Sequence, residues 1–351
     1  MLFSKNYINM KVISCFMLAA LVAVTISAQS QSRIDSVQFF LDEQPLTVTL
    51  STDLGNLLSG RIKNEYQNAT FTCKLPDSST VSEVIRLNVR GHSRREICKM
   101  PPIRLLFRNA TSPRLSPLKT LKLVNICRFS GADKQLLLKE YLIYKMYNLI
   151  TDKSFRVRLL NITFEDSKGS KKSFTQYGFV VENVDVVAKR NKCKEMNNVK
   201  IDQETSDRSN MTQVALFEYM IGNTDWSVWN NHNIKLLYPK KDSTAKPIAL
   251  PYDFDNSGFV NADYAVPDPI MGVESVTERV YRGFPRSAEE LEAAIQVFNS
   301  KKDKIYELIN NFEPLSGNVK KNTVNYLDDF YKTINDPKDV KYVFITKARK
   351  E

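Results

Sequence analysis

Histidine is nearly absent from this 351-residue chain, which carries only His92 and His232. With so few imidazoles and no CxxC spacing among five cysteines, a zinc site has little to draw on. Neither histidine has a serine or cysteine motif beside it, so neither is assigned a role. The chain also lacks zinc-finger spacing, a glycine and aromatic RNA motif and a concentrated basic helix, and no nucleic-acid partner is expected. It has one long apolar run, Val12 to Ile26, and no second one, so no integral membrane span is expected once that run is removed. There is no internal repeat or low-complexity tract. With 42% hydrophobic and 25% charged residues, the composition is globular and the length suits two domains or one large bilobal one.

What is present begins with a leader. Lys5 and Lys11 precede the apolar run, Ser27 and Ala28 end it, and the polar QSQSR follows, which is the pattern of a secretory signal peptide over residues 1–28. An uncleaved anchor needs about 20 apolar residues, and this run is shorter. Cys15 lies at the start of the run, the wrong end for lipidation. The expected location is therefore secreted, periplasmic or on the cell envelope. In that oxidising setting Cys73, Cys98, Cys127 and Cys193 favour disulfides, with Cys98 and Cys127, at the edges of two candidate neighbouring strands, the preferred pair. The formal charge of +11 falls to about +9 without the two leader lysines and is spread along the chain, as a solvated basic surface would be.

Residues 33–190 read as strand-rich. VQFFL, LTVTL, SEVIRLNVRG, PIRLLF and LKTLKLVNI are short, β-branched or alternating, and bounded by Asn, Ser, Pro or Gly, which predicts one antiparallel sheet. One helix is predicted over 134–150, where Leu138, Leu142, Met146 and Leu149 recur at helical spacing. RVRLLNITF and SFTQYGFVVEN then read as a hairpin. Residues 191–210 have almost no apolar periodicity and read as a linker. A region over 211–345 opens with a helix apolar on most faces, MTQVALFEYMIGN, and ends in helices that Ser287 begins by capping.

The densest chemistry lies between Gly222 and Gly258. Asp225 follows the buried helix in a loop where Trp226 and Trp229 can shield it, which suits a carboxylate that orients or deprotonates a hydroxyl. Asn230, Asn231 and Asn233 follow, and either Asn230 or Asn233 could offer an amide oxygen to a metal; an Asn-rich turn bonding its own backbone is the competing account. Asp253 and Asp255 flank Phe254 after the apolar IALPY. If that stretch is extended, both carboxylates share one face and can share a hard cation, which relieves their mutual repulsion. Lys122 and Glu140 point into mostly apolar surroundings, where an ion pair between them would aim the lysine at a phosphate; a structural salt bridge is the alternative. Arg90, Arg94 and Arg95 lie at a turn in VRGHSRREICK that could clamp phosphates.

Taken in order, the RG turn at Arg90 and Gly91, the strand and helix around Lys122 and Glu140, YGFVVENVD, the NTD and HN loop, and YDFD resemble the spore coat protein H (CotH) kinase-like family over residues 35–312. The resemblance implies an α+β, atypical protein-kinase-like bilobal fold, with an antiparallel-sheet N-lobe carrying one helix and a mainly helical C-lobe. It implies binding of ATP with Mg²⁺ or Mn²⁺ and phosphorylation of hydroxyl groups on a protein substrate at the cell envelope. Asp225 resembles the catalytic aspartate, Asn233 the metal-binding asparagine and Asp253 the metal-binding aspartate, with Glu182 at a hinge. The chain departs from ordinary kinases in lacking a GxGxxG loop and an HRD tripeptide, and in having DFD where DFG is usual. A catalytically inactive kinase-fold protein that binds a glycan or a partner protein is the alternative function.

Overall fold

A computed structural model describes residues 39–91, 93–197, 199–240 and 244–349. The expected signal peptide, Cys15 and His92 lie outside the described residues.

Seven strands close into a barrel: β1 (Leu46–Thr52), β2 (Gln67–Lys74), β3 (Thr80–Val89), β4 (Ile103–Leu106), β5 (Thr120–Asn125), β6 (Val157–Asp166) and β7 (Phe174–Val181). Around the barrel the order is β1-β2-β3-β4-β5-β7-β6. Six neighbouring pairs are antiparallel, and β6 closes the ring on β1 in parallel, with Leu46 opposite Leu160 and Thr52 opposite Asp166. This overturns the expected kinase-like bilobal fold with an open antiparallel sheet: the described structure is a closed mixed barrel with several helices. Closure removes the two free edges an open sheet would expose.

Alternation fills the barrel. Leu46, Val48 and Leu50 of β1 point inward, where they meet Phe71, Leu87, Leu105, Leu121, Ile162, Phe164 and Val180. Strands β5, β6 and β7 are apolar on both faces, because their other face carries a second core. There Val124, Leu159, Phe179 and Val181 pack against a long helix, α3, which spans Gly131–Ile150. Two short helices precede it, α1 (Leu54–Ser59) and α2 (Ser93–Ile97). Ser130 caps α3 by accepting from the Asp133 amide, and Leu138, Leu142 and Met146 are fully buried along it. Burial of such a face, rather than helix propensity, accounts for most of its stability.

After β7 come α4 (Val184–Arg190), β8 (Cys193–Met196), α5 (Arg208–Ile221), β9 (Ile234–Pro239) and β10 (Ile248–Pro251). The expected linker is thus partly structured, since β8 joins a three-stranded sheet in the order β10-β9-β8. Then α6 (Ala288–Asn310), α7 (Gly317–Asn335) and α8 (Pro337–Lys341) complete the second core. Ser287 and Glu290 form a full capping box at the start of α6. Phe39 and Phe40, expected in a strand, are instead helical and turn respectively, and the Phe39 carbonyl accepts from Arg158. Cys98 and Cys127 are bonded as expected, with Cα atoms 4.5 Å apart, while Cys73 and Cys193 are buried free thiols rather than a second bridge. Among the described residues no helix is long and apolar enough to cross a membrane.

Candidate active site

The segment from Gly222 to Gly258 is clasped at its ends. The Gly258 amide donates to the Gly222 carbonyl at 3.0 Å, and the Phe259 amide donates to that of Ile221 at 2.9 Å. Gly222 ends α5 at φ +64°, and a Cβ there would collide with the Tyr326 hydroxyl, so both conformation and space require glycine. Below this clasp sits Glu218, fully buried on α5, where burial pushes its carboxyl up to about 8 although Asn223 donates to it at 2.9 Å.

Within the segment, Ser227 and His232 exchange two backbone hydrogen bonds of 2.9 Å and fold the loop back on itself. The reversal brings Asp225 against residues seven and eight positions later. Its Oδ1 meets His232 Nε2 at 2.6 Å, and its Oδ2 accepts from Asn233 at 3.1 Å and from Asn256 at 2.8 Å. Asn233, at φ +51°, also donates to the Asp225 carbonyl at 2.7 Å. Asn230 is exposed and its backbone amide donates to the Ser227 hydroxyl at 3.2 Å, whereas Asn233 is the asparagine brought to Asp225. Trp226 is buried beneath the Arg282 guanidinium, whereas Trp229 stands exposed and does not shield Asp225.

The register of β9 on β10 sets the next neighbour. Ile234 lies opposite Pro251, and one step further the Tyr252 amide donates to the Asn233 carbonyl at 3.0 Å. Asn233 therefore adjoins the chain that leads into Asp253. The chain leaves the strand there: Asp253 has φ +66°, and its amide donates to the Tyr144 hydroxyl at 2.9 Å. That turn breaks the alternation that would have put Asp253 and Asp255 on one face. Asp255 instead faces Arg94 at 3.3 Å and the Tyr264 hydroxyl at 3.1 Å, in a buried cluster. Burial and the charge of Asp253 raise its carboxyl, against the pull of Arg94. The Asp253 carboxylate has no hydrogen-bond or ion-pair partner among the described residues.

The expected Lys122 to Glu140 ion pair does not form. Glu140 pairs with Arg94 at 3.7 Å, and burial together with Asp255 drives its carboxyl well up. Arg94 wins because α2, tied down beside it by the Cys98–Cys127 bridge, delivers a guanidinium that also donates to the Asn125 carbonyl at 3.1 Å. Lys122 lies instead over the Tyr252 ring at 4.6 Å. Burial and then the charge of Arg90 lower its ammonium to about 8, while Asp253 opposes the fall. Arg90, Lys122 and Asp253 thus share one electrostatic neighbourhood, drawn from three separate elements. Glu182 is not among them: it pairs with Arg190 at 3.1 Å and accepts from the Arg156 amide at 3.0 Å, which makes it a brace between β7 and α4 rather than a hinge contact.

A cleft of about 730 Å³ opens beside Asp225, lined in part by His232, Asn256, Tyr264, Trp229 and Arg282. His232, Asn256 and Tyr264 had no assigned role in the sequence. Asn256 directly follows the Asp pair, and HN is part of the motif, but only the loop reversal shows what either side chain touches.

No protein-family model matches the chain, and no curated protein matches it. Among the described residues no three His, Cys, Asp or Glu side chains are grouped closely enough to hold a metal ion by themselves. The donor set nonetheless suits Mg²⁺, which prefers oxygen, keeps several waters and is commonly held by one or two carboxylates plus substrate phosphates. Asp253 would supply its carboxylate, and Asn233, whose Nδ2 is turned to Asp225, would supply its amide oxygen. Asp255 turns its Oδ2 to both Arg94 and Tyr264, which leaves only Oδ1 for a cation.

Proposed function

We propose that the protein is an exported phosphotransferase that passes the terminal phosphate of ATP to a hydroxyl group on a protein of the cell envelope, in the presence of Mg²⁺ or Mn²⁺. The observation that carries this reading is the convergence of Arg90, Lys122 and Asp253 next to the Asp225 and Asn233 pair. Phosphoryl transfer asks little covalent chemistry of a protein; it needs cations on phosphate, hard oxygen ligands and a group that manages the acceptor proton. Arg90 and Lys122 answer the first need, Asn233 and Asp253 the second, and Asp225 stands on the acceptor side. The metal would neutralise phosphate charge when bound. The order of motifs resembling the spore coat protein H kinase-like family supports the same chemistry, and the disulfide supports an oxidising compartment. The reading rests on these residues and not on a kinase fold.

Mature protein incubated with terminally labelled ATP, Mg²⁺ and generic protein acceptors is expected to transfer label, and Asp253→Ala to abolish transfer. Equal labelling by that variant sinks the assignment. The missing GxGxxG loop favours one rival, an inactive binding protein for a glycan or protein ligand. Transfer of label excludes it.

A further inference from the structure

We infer that His232, and not Asp225, accepts the proton of the attacking hydroxyl, with Asp225 holding the imidazole in the orientation this requires; the inference rests on the phosphotransferase reading above. Asp225 has three hydrogen-bonding partners on its two oxygens: His232 on Oδ1, and Asn233 and Asn256 on Oδ2. A carboxylate offers about four lone-pair sites, so most of its capacity is spent inside the protein. His232 is placed differently. Its side chain is 54% exposed, against 35% for Asp225, and both line the cleft where an acceptor would enter.

The partner fixes the tautomer. An ionised carboxylate only accepts, so the 2.6 Å contact requires the hydrogen on His232 Nε2. In the neutral ring Nδ1 then carries the lone pair. Nδ1 has no partner among the described residues. The backbone bridge between His232 and Ser227 holds the ring's attachment point, and the Asp225 contact at Nε2 holds the ring itself. The arrangement is a carboxylate and imidazole pair in which the first group orients and the second exchanges the proton.

In the step this assigns, the acceptor oxygen forms a bond to the terminal phosphorus as the bond from that phosphorus to the bridging oxygen breaks. ADP leaves with the electron pair. The hydroxyl proton passes to Nδ1, and the resulting imidazolium stays against the Asp225 carboxylate through Nε2–H until it returns the proton to water.

Two measurements test this. Because the chain has only two histidines, ¹⁵N-labelled His92→Gln protein gives a histidine spectrum of His232 alone. The neutral ring is expected to carry its hydrogen on Nε2 and a bare Nδ1, and Asp225→Asn to shift the tautomer balance. A ring with its hydrogen mainly on Nδ1 overturns the inference whatever the activity. In labelled-ATP transfer, His232→Gln keeps an amide donor for Asp225 but has no basic nitrogen. Turnover is expected to fall about 100-fold, the lower end of the range for general-base loss, with unchanged affinity for Mg-ATP. Undiminished turnover in His232→Gln overturns the inference alone, whereas a wild-type protein that transfers nothing overturns the phosphotransferase reading.

Discussion

The Arg94 guanidinium lies 3.3 Å from Asp255 across 161 residues of sequence, and the same side chain faces Glu140 at 3.7 Å. One cation therefore serves two buried carboxylates that repel each other. Removing it leaves both uncompensated, which is the costly way to break a buried pair. Arg94→Ala is expected to lose about 3 to 5 kcal/mol of stability in urea unfolding, whereas Glu140→Gln, which removes one of the competing charges, should cost far less. Equal losses in the two variants would show that Arg94 is not the shared counter-charge.

Lys122 gives the site a pH limit. Its ammonium is lowered from the usual 10.5 to about 8, so the folded protein releases that proton while the unfolded chain still holds it. The sign for stability follows: between about pH 8 and 10.5 the unfolded state binds more protons, and this group's contribution to stability rises with pH. Phosphate binding moves the other way, because the ammonium is lost. Affinity for Mg-ATP is expected to fall by up to about tenfold per pH unit above pH 8. Lys122→Arg, which stays charged, should flatten that fall. Calorimetric titrations at a series of pH values decide it, and an unchanged slope in Lys122→Arg would remove Lys122 from the phosphate side.

Glu218 contributes in the opposite direction. Its buried carboxyl titrates near 8, far above its usual 4.5, so the folded state holds a proton that the unfolded state gives up. The stability from this group is complete below about pH 4.5 and is lost as pH rises through 8. Glu218→Gln keeps the contact from Asn223 without the charge. It is expected to match the wild type near pH 4.5 and to exceed it by roughly 5 kcal/mol at pH 9 in denaturant unfolding. A constant difference across the range would show that Glu218 does not change protonation on folding.

Much of this architecture was legible where local pattern decides it. The long helix, expected over 134–150 and found over 131–150, the cap at Ser287, the burial of α5 and the Cys98–Cys127 bridge all follow from periodicity, capping chemistry or strand edges. Barrel closure was not legible, because it rests on a parallel pairing of β1 with β6 more than 100 positions apart, which no local pattern marks. Strand β2 has only Ala69, Phe71 and Cys73 on its buried side among polar residues, and it escaped notice for that reason. The Asp, Asn and Asp residues of the site were found from their types and order. Their contacts are not: an extended Asp253 would share one face with Asp255, and its positive φ breaks that alternation. His232 carries no local signal, because its partner is a carboxylate seven residues back, reached through a loop reversal.

A Mg-dependent nucleotide site at Asp253 is tested most directly by a thermal and calorimetric titration of wild-type and Asp253→Ala protein with Mg-ATP. The wild type is expected to gain about 2.7 kcal/mol of stability at a hundred times its Kd, with no gain from ATP in chelator. The variant should gain little under either condition. A wild-type protein that ATP does not stabilise with Mg²⁺ or Mn²⁺, or a variant stabilised as much as the wild type, would contradict it.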